Sequence, residues 1–218
     1  MPRPPDLSYD TDREERASLF DLMASATQSA AAALSQMAGR GITAGPTRIR
    51  VMPLQGLSYV AGDPERPAFA VYVSVRGHNR GHILLALSDV TAHTLASMLL
   101  DGLEAPSAVL GPLAISALAE AGNVTASFFL TALADPAHLV LPPSPPVVLH
   151  EMRGAIFDSL ASALALDEQD DALVIETEFV CQGQVAEITF YVFPAPSMIQ
   201  AVTRGILQEA NDAERHHS

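Results

Sequence analysis

The sequence predicts an α+β fold: one pseudo-two-fold symmetric domain in which two repeats, each a long helix, three strands and a helix, share one mainly antiparallel sheet, with an extra helix in the second repeat. Three observations point there. The order helix, strands, helix occurs twice along 218 residues. An offset of 99 lays Ala33-Leu34 on Ala132-Leu133, Pro46 on Pro145 and Ile49 on Val148, the self-similarity expected of a duplicated unit. Each half supplies about three strands, too few to bury a sheet face alone, so the halves should share a sheet. The predicted domain spans residues 13–210, with repeat one at about 13–103 and repeat two at about 108–210, behind a flexible Pro- and Asp-rich tail at 1–12.

The elements follow in order. From Asp12 to about Arg40 the chain is rich in Ala and other helix formers without Pro, and Gly39 and Gly41 give the stop. Strands are predicted at 47–54, 68–76 and 81–87, the last two joined by Gly77-His78-Asn79-Arg80, followed by a helix from Ser88 to about Leu100. The second half gives a helix from about Gly111 to Ala134, the run Pro142-Pro143-Ser144-Pro145-Pro146, and a short strand at 147–150. An amphipathic helix at 152–165 and the acidic loop Asp167–Asp171 interrupt the repeat. Strands at 173–181 and 185–193 form a hairpin around Gly183, and a helix at 198–210 closes the pattern.

Composition excludes several functions. The formal net charge is −13, which repels a nucleic-acid backbone and gives no reason to expect anionic lipid as a partner. All 12 cationic residues are Arg, so a Schiff-base or P-loop lysine is excluded. The single cysteine, Cys181, has no intramolecular disulfide partner, and the start MPRPPDLSYDTDREER lacks the pattern of a secretory signal. No uninterrupted apolar run reads as a membrane span. A cytoplasmic protein is expected.

The helix from Gly111 carries the candidate chemistry. Ser116, Glu120, Asn123, Ser127 and Thr131 recur at intervals of four, three, four and four, a polar stripe flanked by Ile115, Leu118, Ala121, Val124, Phe128 and Leu130. Glu120 and Asn123 project as neighbours. Taken alone, such a pair is most simply a solvated helix face. The offset of 99 places Asp21 on Glu120 and Ala24 on Asn123.

The stretch ISALAEAGNVTASFFLTALADPAHLVLPPSPPVVLHEMRGAIF closely resembles the second half of CheC proteins, in its Ser-Ala-Leu before a Glu, its Gly-Asn pair, its Ala-Leu-Ala, its Pro-containing approach to a strand and its amphipathic helix. The segment LFDLMASATQSAAAALSQMAGRGITAGPTRIRVMPL is similar to the first half, though less closely, and the likeness covers roughly residues 15–208. The resemblance to this family of CheY-type aspartyl-phosphate phosphatases implies a CheC-like fold and a site of Glu120 and Asn123 acting on a phosphorylated response regulator. It implies that the Asn123 amide holds a water in line with phosphorus while Glu120 pairs with the regulator's lysine. The regulator brings its own Mg²⁺, so no cofactor or metal of this chain's own is implied. In that family each half can carry a Glu-x-x-Asn pair. Here the first pair reads Asp21 and Ala24; Ala24 has no amide and Asp21 is one methylene short, so the second site is expected to be degenerate. Restoring Glu and Asn there is expected to cost little stability and to return part of a second activity.

Other residues carry weaker signals. His78 and His82 flank a turn, His93, His138 and His150 lie on separate elements, and neither HExxH nor a Cys/His cluster appears. Cys181 reads as a small packed side chain, and no Gly-x-Ser-x-Gly elbow is present. Two further functions compete with the phosphatase. One is a non-catalytic binding module that sequesters a regulator or engages a CheD-like deamidase, for which the acidic loop is a candidate contact. The other is a flagellar switch component of FliY type, which ranks last because the sequence ends after the repeat.

Overall fold

The computed structural model describes residues 13–60, 62–101, 109–167, 169–181 and 184–216. The expected tail, the hairpin apex Gly183 and Glu168 of the acidic loop lie outside them. Helix α1 (Arg13–Ala38) leads to strand β1 (Ile42–Pro53), a short 3-10 helix (Leu54–Tyr59), strands β2 (Pro67–Val75) and β3 (Gly81–Leu87), and α2 (Asp89–Leu99). Then come α3 (Pro112–Ala134), a 3-10 turn (Asp135–Ala137), β4 (Val147–Met152), α4 (Arg153–Leu166), β5 (Asp171–Cys181), β6 (Gln184–Pro194) and α5 (Pro196–His216).

The six strands form one sheet in the order β1-β5-β6-β3-β2-β4, every pair antiparallel. Exchanging β1 with β4, β2 with β5 and β3 with β6 returns the same order read backwards, which is the topology of a two-fold axis between β3 and β6. The numbering agrees. Arg13 opens α1 and Pro112 opens α3, and Pro53 and Met152 end β1 and β4, all at an offset of 99. Beyond α4 the offset becomes 107, for Asp89 and Pro196 at the starts of α2 and α5 and for Leu84 opposite Tyr191 in the central strand pair. The drift of eight matches the length by which α4, with 14 residues, exceeds the 6-residue 3-10 helix. The helix of the second repeat therefore has a short counterpart in the first.

Two apolar layers sandwich the sheet. On one face α1, α2, α3 and α5 cover Phe69, Val71, Ile83, Leu85, Phe179, Phe190 and Val192. On the other, α4 and the 3-10 helix cover Leu84, Val174, Tyr191 and Phe193. Alternation along each strand produces this division, since successive side chains point to opposite faces. Phe129 of α3 packs on Phe190 at 5.4 Å, and Phe190 stacks on Phe179 at 5.7 Å. Such aromatic pairs add about 0.5–1.5 kcal/mol each beyond the burial itself, so α3 is fastened to the sheet centre.

Two element boundaries differ from expectation. Strand β1 starts at Ile42 rather than Thr47, because an irregularity between Ala44 and Thr47 absorbs Gly45-Pro46 without ending the pairing with β5. An edge strand tolerates this, since a proline there need not donate to a neighbour. Helix α5 runs from Pro196 to His216 and so exceeds the expected 198–210.

Candidate functional site

Helix α3 begins at Gly111 in extended conformation with Pro112 in the first turn, where a missing N–H is harmless. Its buried positions, among them Ala114, Leu118, Ala121, Thr125, Phe129 and Leu133, recur every three or four residues and seat the helix on the core. The polar stripe remains accessible. Ser116, Glu120 and Thr131 are exposed, and Asn123 and Ser127 are partly buried. The Glu120 carboxylate and the Asn123 amide, less than one turn apart, have no hydrogen-bond or ion-pair partner among the described residues. The amide keeps its donors and its acceptor, and the carboxylate its acceptors, open to solvent.

The first repeat repeats this placement. Asp21 is exposed and Ala24 partly buried on α1, the same exposures as Glu120 and Asn123. Position 24, however, offers only a methyl group.

Phe128 corrects one expectation. As an apolar position flanking the stripe it is expected to be able to pack, yet its side chain is 50% exposed. Successive helical residues turn by about 100°, so Phe129 lies opposite Glu120 while Phe128 lies on a flank of the stripe, the flank that the seating of α3 leaves open. Leu113 at the helix start is also exposed. The stripe thus has apolar side chains near both ends.

The histidines do not assemble a metal site: among the described residues no group of three or more His, Cys, Asp or Glu side chains could hold a metal ion. His150 instead stacks on Phe69 at 4.0 Å and pairs with Asp89 at 3.0 Å. Cys181 is partly buried.

Sequence reasoning missed a chain of polar groups built around the buried His82 on the α4 face. The Tyr72 hydroxyl lies 2.7 Å from His82 Nδ1, His82 Nε2 lies 3.4 Å from Asp167, and Arg80 donates to Asp167 at 2.6 Å. These residues come from β2, the turn before β3, β3 itself and the residue that ends α4, so no local spacing signals them. Burial pushes the His82 imidazole below its ordinary value, against the opposing hydrogen bond and charge of Asp167. The neutral ring fits the network, with Tyr72 donating to Nδ1 and Nε2–H donating to Asp167. A group whose folded pKa is depressed contributes stability above its unfolded value, and that contribution is lost as pH falls. Thermal midpoints should therefore drop as pH falls below about 6.5, and His82→Asn should flatten this part of the profile. An unchanged slope in His82→Asn would refute the assignment.

The same face holds a pocket of about 340 Å³ lined by Arg66, Arg153, Glu176, Glu187, Tyr191 and apolar floor residues. Its rim is internally paired, with Arg66 3.5 Å from Glu187. The Glu187 carboxyl is held below its usual range by the Ser88 hydroxyl first and by Arg66 and Arg153 second.

Comparisons with known proteins point to the same helix. The model of the CheC-like family matches residues 113–150, which contain the stripe and the strand after it. The CheY-P phosphatase CheC of Bacillus subtilis is 26% identical over 168 residues, 76% of this chain and 80% of that protein. Thermotoga maritima FliY shares the fold with a TM-score of 0.64 at 21% identity, over 92% of this chain and 99% of that one. A chain of the CheX-CheY-BeF3-Mg²⁺ complex from Borrelia burgdorferi shares it with a TM-score of 0.50 at 18% identity, covering 81% and 96%. Helix α3 is long and apolar enough to cross a membrane by length and composition, but its inward positions are in the core of this shared fold. With its palindromic sheet, its Glu120–Asn123 stripe inside the matched segment and these relatives, the chain is similar to the CheC-like family in the sequence of α3 and in its fold.

Proposed function

We propose that this protein hydrolyses the aspartyl phosphate of a CheY-type response regulator, in the cytoplasm, through a single site formed by Glu120 and Asn123. The observation that carries the reading is an unengaged Asn amide and Glu carboxylate on one accessible helix face, within the segment that matches the family. In this mechanism the chain supplies position rather than a nucleophile. The Asn123 amide donates to and accepts from one water and holds it in line with phosphorus, and Glu120 pairs with the regulator's lysine to fix the docking register. The Mg²⁺ that neutralises phosphoryl charge belongs to the regulator. Leu113 and Phe128 give the docking face apolar contact near each end of the stripe. The test is single-turnover loss of phosphoryl from an isolated regulator, with and without the protein. Acceleration supports the reading.

A second reading, a non-catalytic module that sequesters the regulator or engages a CheD-like deamidase, is favoured by the degenerate Asp21/Ala24 pair, which shows that the fold persists in a half lacking the motif. Binding without acceleration in the same assay would select it.

Glu120→Ala separates docking from chemistry. Losing one charge-assisted contact of about 1.5 kcal/mol should raise the regulator concentration for half-maximal rate roughly tenfold. The rate at saturation should stay near wild type. A defect that persists undiminished at saturation would show that Glu120 acts in the chemical step.

A further inference from the structure

The residue before Asn123 is a glycine in the interior of a helix, where glycine is a poor choice. Its surroundings explain it. A Cβ on Gly122 would overlap Val71 of β2, lying 2.6 Å from its Cβ and 3.2 Å from its Cγ2 and closer still to its Cγ1. The backbone of α3 therefore rests directly on the β2 side chain beneath it. A second glycine fixes the far end of the helix. A Cβ on Gly205 of α5 would come within 2.5 Å of the Cα and carbonyl oxygen of Ala137, in the 3-10 turn that continues α3.

The pseudo-symmetry shows what the alternative looks like. The offset of 99 places Met23 at the position of Gly122, and the offset of 107 places Met98 at that of Gly205. Met23 is fully buried, so in the first repeat a long side chain fills the space that the second leaves to close backbone approach. Met98 lines a shallow pocket together with Ala38, the counterpart of Ala137. Both close contacts thus occur in the repeat that keeps Glu and Asn, and both are replaced by methionine in the repeat that has lost them.

We infer that Gly122, supported by Gly205, is the positioning residue of the site: it sets the height of α3 over the sheet and thereby how far the Asn123 amide projects into a docked partner. This rests on the phosphatase reading. A displacement near 1 Å at a positioned group can cost on the order of a hundredfold in rate, and an overlap beneath residue 122 lifts the turn that carries Asn123 relative to Leu113 and Phe128, the apolar docking contacts nearer the helix ends.

The test uses the full chain in the single-turnover assay at several regulator concentrations. Gly122→Ala should lower the saturating rate by about tenfold or more, with the half-saturating concentration little changed. Adding Val71→Gly deletes the isopropyl side chain that the new methyl group would meet, and so removes the overlap. The double variant should regain most of the rate even though a strand glycine lowers its melting temperature. A purely structural role predicts the opposite order, with the less stable double variant slower. A full rate in Gly122→Ala, or a double variant slower than the single, overturns the inference. Should Gly122→Ala fail to fold, the double variant is compared with Val71→Gly alone: equal rates support the inference and a tenfold deficit overturns it. A wild-type protein without acceleration would refute the phosphatase reading instead.

Discussion

Asn123→Ala should remove most of the acceleration, by about a hundredfold, and leave the fold unchanged. The magnitude follows from the role. A water that must otherwise find its own orientation loses the amide that restricts it, and proximity effects of this kind supply factors of a hundred and more. The fold should survive because the Asn123 side chain is only partly buried and makes no hydrogen bond among the described residues, and because alanine is the better helix former. The melting temperature should therefore stay level or rise slightly. Asn123→Asp is the sharper companion: it keeps the size but turns a group that donates and accepts into one that only accepts, beside a negatively charged phosphoryl group. It should be at least as slow. Wild-type turnover in either variant would remove Asn123 from the mechanism.

The site helix was legible in the sequence for a physical reason. Its polar residues recur at helical spacing within an apolar segment, so the stripe and its exposure follow from 3.6-residue geometry alone. The repeat was legible too, because the offset of 99 runs unbroken from α1 through β1. What stayed hidden depends on contacts between distant segments. Phe128 could not be told from Leu130, since both are apolar, both flank the stripe at similar angles, and only the seating of α3 decides which one turns inward. The link from Tyr72 through His82 to Asp167 spans separations of 10 and 85 residues, beyond any local pattern. The 3-10 helix after β1 leaves little trace in Leu54–Tyr59, and its kinship with α4 shows only once β1 and β4 are seen to end at equivalent residues. Gly122 illustrates the limit best. In the sequence it is half of a Gly-Asn pair, but the reason for a glycine lies in Val71, on a strand distant in sequence.

The degenerate repeat gives the last test, and here structure and sequence lead to different expectations. In an Asn123→Ala background, Asp21→Glu with Ala24→Asn rebuilds the motif on α1, and from the sequence alone partial recovery is expected. Both positions have the right exposure, so the substitutions should change stability by less than about 1 kcal/mol. Activity should nevertheless remain near the silent background, about a hundredfold below wild type, because Met23 occupies the place where Gly122 lets α3 settle. A restored amide on a helix seated at a different height meets the phosphoryl group at the wrong distance, and orientation is the whole of its contribution. The comparison needs only thermal melts and the single-turnover assay on the grafted chain. Recovery to within about tenfold of the wild-type rate would show that side-chain identity suffices and that helix height is immaterial. A folded but silent graft would place the loss of the first site in the seating of α1 as well as in its two missing functional groups.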